Sequence, residues 1–221
     1  MTLTEQELPR EMLSQARIFH FGTLSLTDDP ACTATRPAVA LANAGGALIS
    51  FDPNLRPPLW SSLEEARSQI AWGLSQCDVL KIADNELEFM TGQTDFAKGA
   101  AMLQQQYPNI RLLNVTAGAQ GSYAFCGSLQ AFEPGCTLGG VIETTGAGDT
   151  FCACVLHYLL GRSPDSLTRD DLHRMLHFAN TAAYLVTTRK GAIRSMPTPE
   201  QVQAIPVSYT HLRAHETLSD V

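Results

Sequence analysis

Four short apolar runs constrain this chain more than any other feature: Arg17–Phe21 (R-I-F-H-F), Ala47–Phe51 (A-L-I-S-F), Asp78–Ala83 (D-V-L-K-I-A) and Ile110–Thr116 (I-R-L-L-N-V-T). Between them lie segments with helical start and stop signals. Asp29 or Pro30 opens a helix to about Ala44, closed by Gly45-Gly46. Ser61 or Ser62 caps one to about Leu74. A short helix runs from Asn85 to Met90, and another from Asp95 to Tyr107. Apolar strands alternating with helices predict a mostly parallel sheet covered on both faces, with ligands beyond the carboxyl ends of the strands. Ser122–Cys126 and Leu129–Phe132 predict a hairpin about Gly127-Ser128. Glu5–Ala16 reads as an amphipathic helix with Leu8, Met12 and Leu13 inward. Ser166 or Thr168 begins a last long helix to about Thr187.

The chemistry concentrates at Glu143-Thr144-Thr145-Gly146-Ala147-Gly148-Asp149-Thr150-Phe151. A β-prone run, Gly140-Val141-Ile142, leads in, and an apolar helix from Thr150 to about Leu160 leads out. A glycine turn opening a helix is an anion site: the first N–H groups lack intrahelical partners and the macrodipole is positive there. Asp149 would repel an anion, yet it suits a base that takes a hydroxyl proton while those N–H groups hold a phosphoryl group. Three readings compete: a plain helix cap, a G-x-G-x-x-G dinucleotide turn, and a kinase. The second fails because Phe151 occupies the third glycine position.

The full nine-residue string resembles the signature of the PfkB (ribokinase-like) carbohydrate kinases, D-T-T-G-A-G-D-x-F, with Glu143 where Asp is usual. Phe19–Leu26, Asp52–Trp60 (D-P-N-L-R-P-P-L-W) and the ending G-A-I-x-S-M-P resemble the bacterial fructokinase branch, and D-P-N-x-R also the ketodeoxygluconate kinases. The resemblance implies a three-layer α/β/α sandwich and ATP-dependent phosphorylation of a sugar hydroxyl, foremost the 6-hydroxyl of fructose. Asp149 would be the base, and the N–H groups of Gly146, Ala147 and Gly148 would hold the γ-phosphoryl charge. Asn85 and Glu88 match an N-x-x-E motif that helps organise Mg²⁺, although as residues they also read as a capping box. Thr116, Gly118 and Gly121 match a T-x-G-x-x-G loop lying against the nucleotide, and Asn180 the position that approaches adenine. Glu143, Thr145, Val186, Arg189, Gly191 and Ser195 match a monovalent-cation loop, with K⁺ the expected ion and the longer Glu143 a departure.

A net charge of −7 argues against a nucleic-acid surface, and no run of about 18 apolar residues is present for a membrane span. The six cysteines form no C-x-x-C pair, so reduced thiols in a cytoplasmic protein are expected. A homodimer is an expected assembly of the whole protein. The resemblance covers the C-terminal two-thirds of such a kinase, in residues 1–206. Nothing before Arg17 matches the family's first strand, sugar-binding Asp, G-G-x-x-x-N motif or β lid. Most sugar contacts are therefore expected to be missing, and the alternatives are a non-catalytic nucleotide-binding fragment or a ketodeoxygluconate or ribose kinase. Residues 207–221 contain His211 and His215 as H-x-x-x-H, but the string resembles a translated sequencing adapter and is expected to be an artefact rather than a metal site.

Overall fold

The structure, a computed structural model, describes residues 2–136 and 138–205. The 207–221 segment lies outside the described residues. Six strands form one sheet in sequential order: β1 (Ile18–Gly22), β2 (Leu48–Asp52), β3 (Val79–Ala83), β4 (Leu112–Thr116), β5 (Gly121–Cys126) and β6 (Leu129–Pro134). β1 to β4 are parallel; β5 and β6 run antiparallel as a hairpin on the β4 side.

This order decides where the helices go. Strands laid down side by side with a constant, right-handed crossover place every connecting helix on the same face. α2 (Ala31–Ala44), α3 (Leu63–Gln76), α4 (Asp84–Thr91) and α5 (Phe96–Gln106) form that layer. Val39, Ala66, Ile70, Leu74, Leu87 and Leu103 pack there on Phe21, Ile49, Phe51, Leu80, Ile82, Leu113 and Val115. The other face is covered by α6 (Ala147–Leu159) and α7 (Arg169–Thr187), which bury Phe151, Val155, Leu159, Leu172, Met175 and Leu176 on Val79, Leu112 and Ala124. The result is the ribokinase-like three-layer sandwich. Caps fix the helix starts: Ser62 accepts from the Glu65 N–H (3.1 Å), Asp95 from Lys98 (3.1 Å) and Thr168 from Asp171 (3.2 Å).

Three local expectations are corrected. The first helix is split at Pro9, leaving a 3₁₀ turn Glu5–Glu7 and the short α1 (Arg10–Ser14). Leu8 and Leu13 are buried against Ala34 and Ala38, but Met12 is 71% exposed. Gly140–Ile142 is not a strand. Gly139 and Gly140 both take positive φ, and the Ile142 and Glu143 N–H groups donate to the Thr187 carbonyl instead. The cap of α4 is displaced: Asn85 and Glu88 are exposed, and the buried Glu86 closes the helix start by accepting from the Ala83 N–H at 2.8 Å. A short α8 (Pro199–Gln203), capped by Thr198, was not foreseen.

Candidate active site

Parallel strands deliver their following loops to one edge, and the motifs after β2, β3 and β4 leave that edge. β2 ends at Asp52, β3 leads to Asn85 and Glu88, and β4 leads to Thr116–Gly121. The signature turn meets them there. Gly146 takes φ +83 as the residue before α6, and a Cβ on it would lie 3.0 Å from the Ala192 Cβ. The segment after α7 therefore packs directly on the turn. Among the described residues the N–H groups of Gly146, Gly148 and Asp149 have no acceptor, whereas the Ala147 N–H donates to the Thr144 carbonyl at 3.2 Å. The open donors are thus Gly146, Gly148 and Asp149 rather than the expected Gly146, Ala147 and Gly148. Asp149 is exposed in the first turn of α6, free to face a reacting hydroxyl.

Beneath this turn lies a cluster that sequence reading missed. Side chains alternate along a strand, so His20, Ser50, Asp52, Lys81 and Asn114 all point to the α6 side. Toward the strands' amino ends that face is apolar (Ile18, Leu48, Val79, Leu112); toward the carboxyl ends it is polar. The Lys81 ammonium holds both oxygens of Asp52, at 3.0 and 3.1 Å, with side-chain exposures of only 8% and 6%. Its Nζ lies 3.2 Å from where a Cβ on Gly148 would be. Burial by itself would strip the proton from Lys81; the Asp52 and Glu86 carboxylates outweigh it and hold the pKa above the usual lysine range. Burial pushes the Asp52 carboxyl up, against the pull of Lys81, and the nearby Asp149 adds to the rise. Glu86 accepts from the Leu55 N–H at 2.6 Å as well as from Ala83, so it ties the loop after β2 to the loop after β3. His20 Nδ1 lies 3.0 Å from Ser50 Oγ and 3.9 Å from Cys152 Sγ. Burial raises the Cys152 thiol to about 12. The signal for this cluster was present as polar residues inside otherwise apolar strands.

The remaining predicted residues divide. Thr116 ends β4; Gly118 takes φ +54 with open space beside it, and Gly121 takes φ +117 where a Cβ would strike the Glu133 carbonyl. Gly118 thus leaves room for a ligand, while Gly121 is demanded by the hairpin. Asn180 is buried and committed to protein partners. Its carbonyl accepts from Ser122 Oγ (2.8 Å), and its amide donates to the Glu133 and Pro134 carbonyls (2.9 and 3.2 Å). It ties α7 to the hairpin. The cation-loop residues are close together but already engaged. Glu143 accepts from the Gly191 N–H at 3.3 Å and from Thr145, which hold its carboxyl below the usual range. The Val186 carbonyl accepts from Arg189, and the Ser195 hydroxyl donates to the Lys190 carbonyl at 2.7 Å. Each of these three oxygen groups takes part in a protein hydrogen bond, and each keeps lone pairs beyond it. Among the described residues no cluster of three or more His, Cys, Asp or Glu could hold a metal ion, and no helix is long and apolar enough to cross a membrane.

A mostly parallel sheet with its motif loops on one edge, facing a glycine turn and an acid at a helix start, defines a ribokinase-like α/β domain. The family model for pfkB family carbohydrate kinases matches residues 1–199, and the chain belongs to that family. A probable fructokinase-2 of Arabidopsis thaliana is 39% identical over 202 residues, covering 90% of this chain and 60% of the relative. The chain thus spans about three fifths of that relative's length. A fructokinase from Vibrio cholerae O395, in fructose-, ADP- and calcium-bound form, superposes with a TM-score of 0.81 at 28% identity, over 92% of this chain and 64% of its own. A fructokinase from Xylella fastidiosa with bound ATP gives 0.80 at 29% identity, over 91% and 64%. The chain is fructokinase-like within the family.

Proposed function

We propose that this chain carries the nucleotide and catalytic side of an ATP-dependent sugar kinase whose acceptor is the 6-hydroxyl of fructose. The observation that carries this reading is the α6 start: three unpartnered N–H groups and an exposed carboxylate, Asp149, share one turn. Asp149 takes the proton of the sugar hydroxyl. The hydroxyl oxygen bonds to the γ-phosphorus, and the bond to the β–γ bridging oxygen breaks, releasing ADP. The N–H groups of Gly146, Gly148 and Asp149 hold the charge gathered on the phosphoryl oxygens. Thr116 and the open side of Gly118 line the nucleotide. The exposed Asn85 and Glu88 would help to hold Mg²⁺, and the ion would neutralise phosphate charge. The fructose and nucleotide bound by the Vibrio and Xylella fructokinases support the substrate assignment.

The test is ADP release by the 221-residue chain with Mg-ATP across fructose, ribose and ketodeoxygluconate, beside Asp149→Asn. We expect fructose-dependent ADP from the parent and a loss of at least a thousandfold in the variant, with ATP binding retained. Variant activity within tenfold of the parent sinks the assignment of the base. If no sugar supports ADP release while ATP still raises the melting temperature, the chain is a nucleotide-binding fragment.

A further inference from the structure

The Asp52–Lys81 pair has no role in the scheme above, and its position is costly. An ammonium at the N-terminal end of a helix meets the positive end of the macrodipole, where anions are favoured and cations are not. A buried ion pair is also a poor way to stabilise a sheet. Yet the glycine at 148 leaves the space the ammonium occupies, 3.2 Å from the absent Cβ. Two more polar groups are buried on the same side without partners among the described residues, the Asn114 amide beside Lys81 in the strand register and the Thr150 hydroxyl one turn into α6. Polar groups are concentrated here against the interest of stability. What such a place suits is an anion beyond the turn.

We propose that Lys81, clamped by Asp52, is a positioning residue for phosphoryl transfer: its ammonium backs the Gly146–Asp149 turn and sets the preference of that turn for the γ-phosphoryl group. The inference rests on the reading of the turn as the phosphoryl site. The groups facing Lys81 are Asp52 from β2, Glu86 from α4 and Cys152 from α6, with His20 of β1 and Asp149 of α6 nearby. Three carboxylates against one ammonium leave the cluster negative, so its net charge does not attract phosphate. The local placement of Lys81 against Gly148 has to do so.

That distinction gives the test. The double variant Asp52→Asn/Lys81→Met leaves the net charge unchanged and removes the ammonium without stranding a carboxylate. Calorimetric titration with Mg-ADP and with the non-hydrolysable Mg-adenylyl imidodiphosphate compares nucleotides without and with a γ-phosphoryl group. We expect the double variant to lose about tenfold in affinity for the triphosphate analogue and less than twofold for ADP. Equal losses for both, or none, overturn the proposal. A second measurement needs no variant: in the parent, the ¹⁵N resonance of the Lys81 ammonium should shift with the triphosphate analogue and not with ADP. An identical response to both overturns it equally. Failure of the parent to bind either nucleotide overturns this inference and the nucleotide half of the proposed function together. Analogue-selective, Lys81-dependent binding without sugar-dependent ADP release leaves the inference standing and removes the activity.

Discussion

The two faces of the sheet are built from the same strands and serve opposite ends. On the face under α2 to α5 the strand side chains are apolar along β1 to β4: Phe21, Ile49, Phe51, Leu80, Ile82, Leu113 and Val115 meet the helix layer. The face under α6 and α7 is apolar only toward the amino ends. Beneath the glycine turn it becomes His20, Ser50, Asp52, Lys81 and Asn114. The first face is organised for stability. The second gives up some of it at the one place where the proposed chemistry needs charge. Phe51 and Asp52 are neighbours on β2 and mark the divide: the ring of Phe51 packs 4.8 Å from Phe21 and fills the gap left by Gly73, while Asp52 turns the other way to clamp Lys81.

The largest expected effects test that divide at adjacent positions. Phe51→Ala should cost about 3–5 kcal/mol in urea unfolding, because it empties a fully buried ring site. Asp52→Ala should cost about 3–5 kcal/mol as well, for a different reason: it strands a buried ammonium. Adding Lys81→Met should restore most of the stability lost in Asp52→Ala and none of that lost in Phe51→Ala. If Lys81→Met fails to rescue Asp52→Ala, the cost of Asp52→Ala is not that of an unpaired ammonium.

A smaller effect has the opposite sign. Asn114 is buried with neither its amide nitrogen nor its oxygen bonded among the described residues. Leaving such groups unmade costs about 1–3 kcal/mol, and replacement by an apolar group of similar shape removes that cost. Asn114→Leu should therefore raise stability by about 1–2 kcal/mol, read as a higher urea midpoint at unchanged slope. The same substitution at an apolar-face position has nothing to gain. A destabilised Asn114→Leu would mean that Asn114 has a partner, such as a buried water, and that the polar face is better satisfied than its protein contacts alone suggest.

How much of this was legible depends on the distance over which residues must be compared. The strands were readable because their apolar runs and flanking caps are local, and the fold class followed from their alternation. The glycine turn was readable because an anion site at a helix start needs only consecutive residues. The Asp52–Lys81 clamp was not: its partners are 29 residues apart and meet only through the β2–β3 register. Lys81 in V-L-K-I-A and His20 in I-F-H-F each look like an ordinary polar residue in a strand. The Glu86 cap was missed by two residues, since Asn85 with Glu88 is the pattern the residue types favour, while the structure closes the helix on Ala83 and ties Glu86 to the Leu55 N–H as well. Asn180 was read through the resemblance as a neighbour of adenine; the bonds that hold its amide to the hairpin, 46 to 58 residues away, were not legible. Pro9 was a local signal, and the helical spacing around it was given too much weight.

The smallest expected effect sharpens the comparison through protons. His20 is exposed on the edge strand, yet partial burial of its ring lowers its pKa; Asp149 pulls it upward and Lys81 pushes it further down, and the net is below the usual histidine value. A group whose folded pKa is depressed contributes stability that is complete above its unfolded pKa, about 6.5. That contribution is lost as pH falls from there through the folded pKa, because the unfolded chain takes up the proton first. Asp52, raised by burial, works in the opposite direction, but it does so in parent and variant alike. Melting curves from pH 7.5 to about 5.5 should therefore fall more steeply for the parent than for His20→Gln, with the two curves parallel above pH 7. Parallel curves throughout would mean that solvent at the exposed side of the His20 ring cancels that shift. The polar half of this face would then begin at Ser50 and Lys81 instead of running to the edge strand.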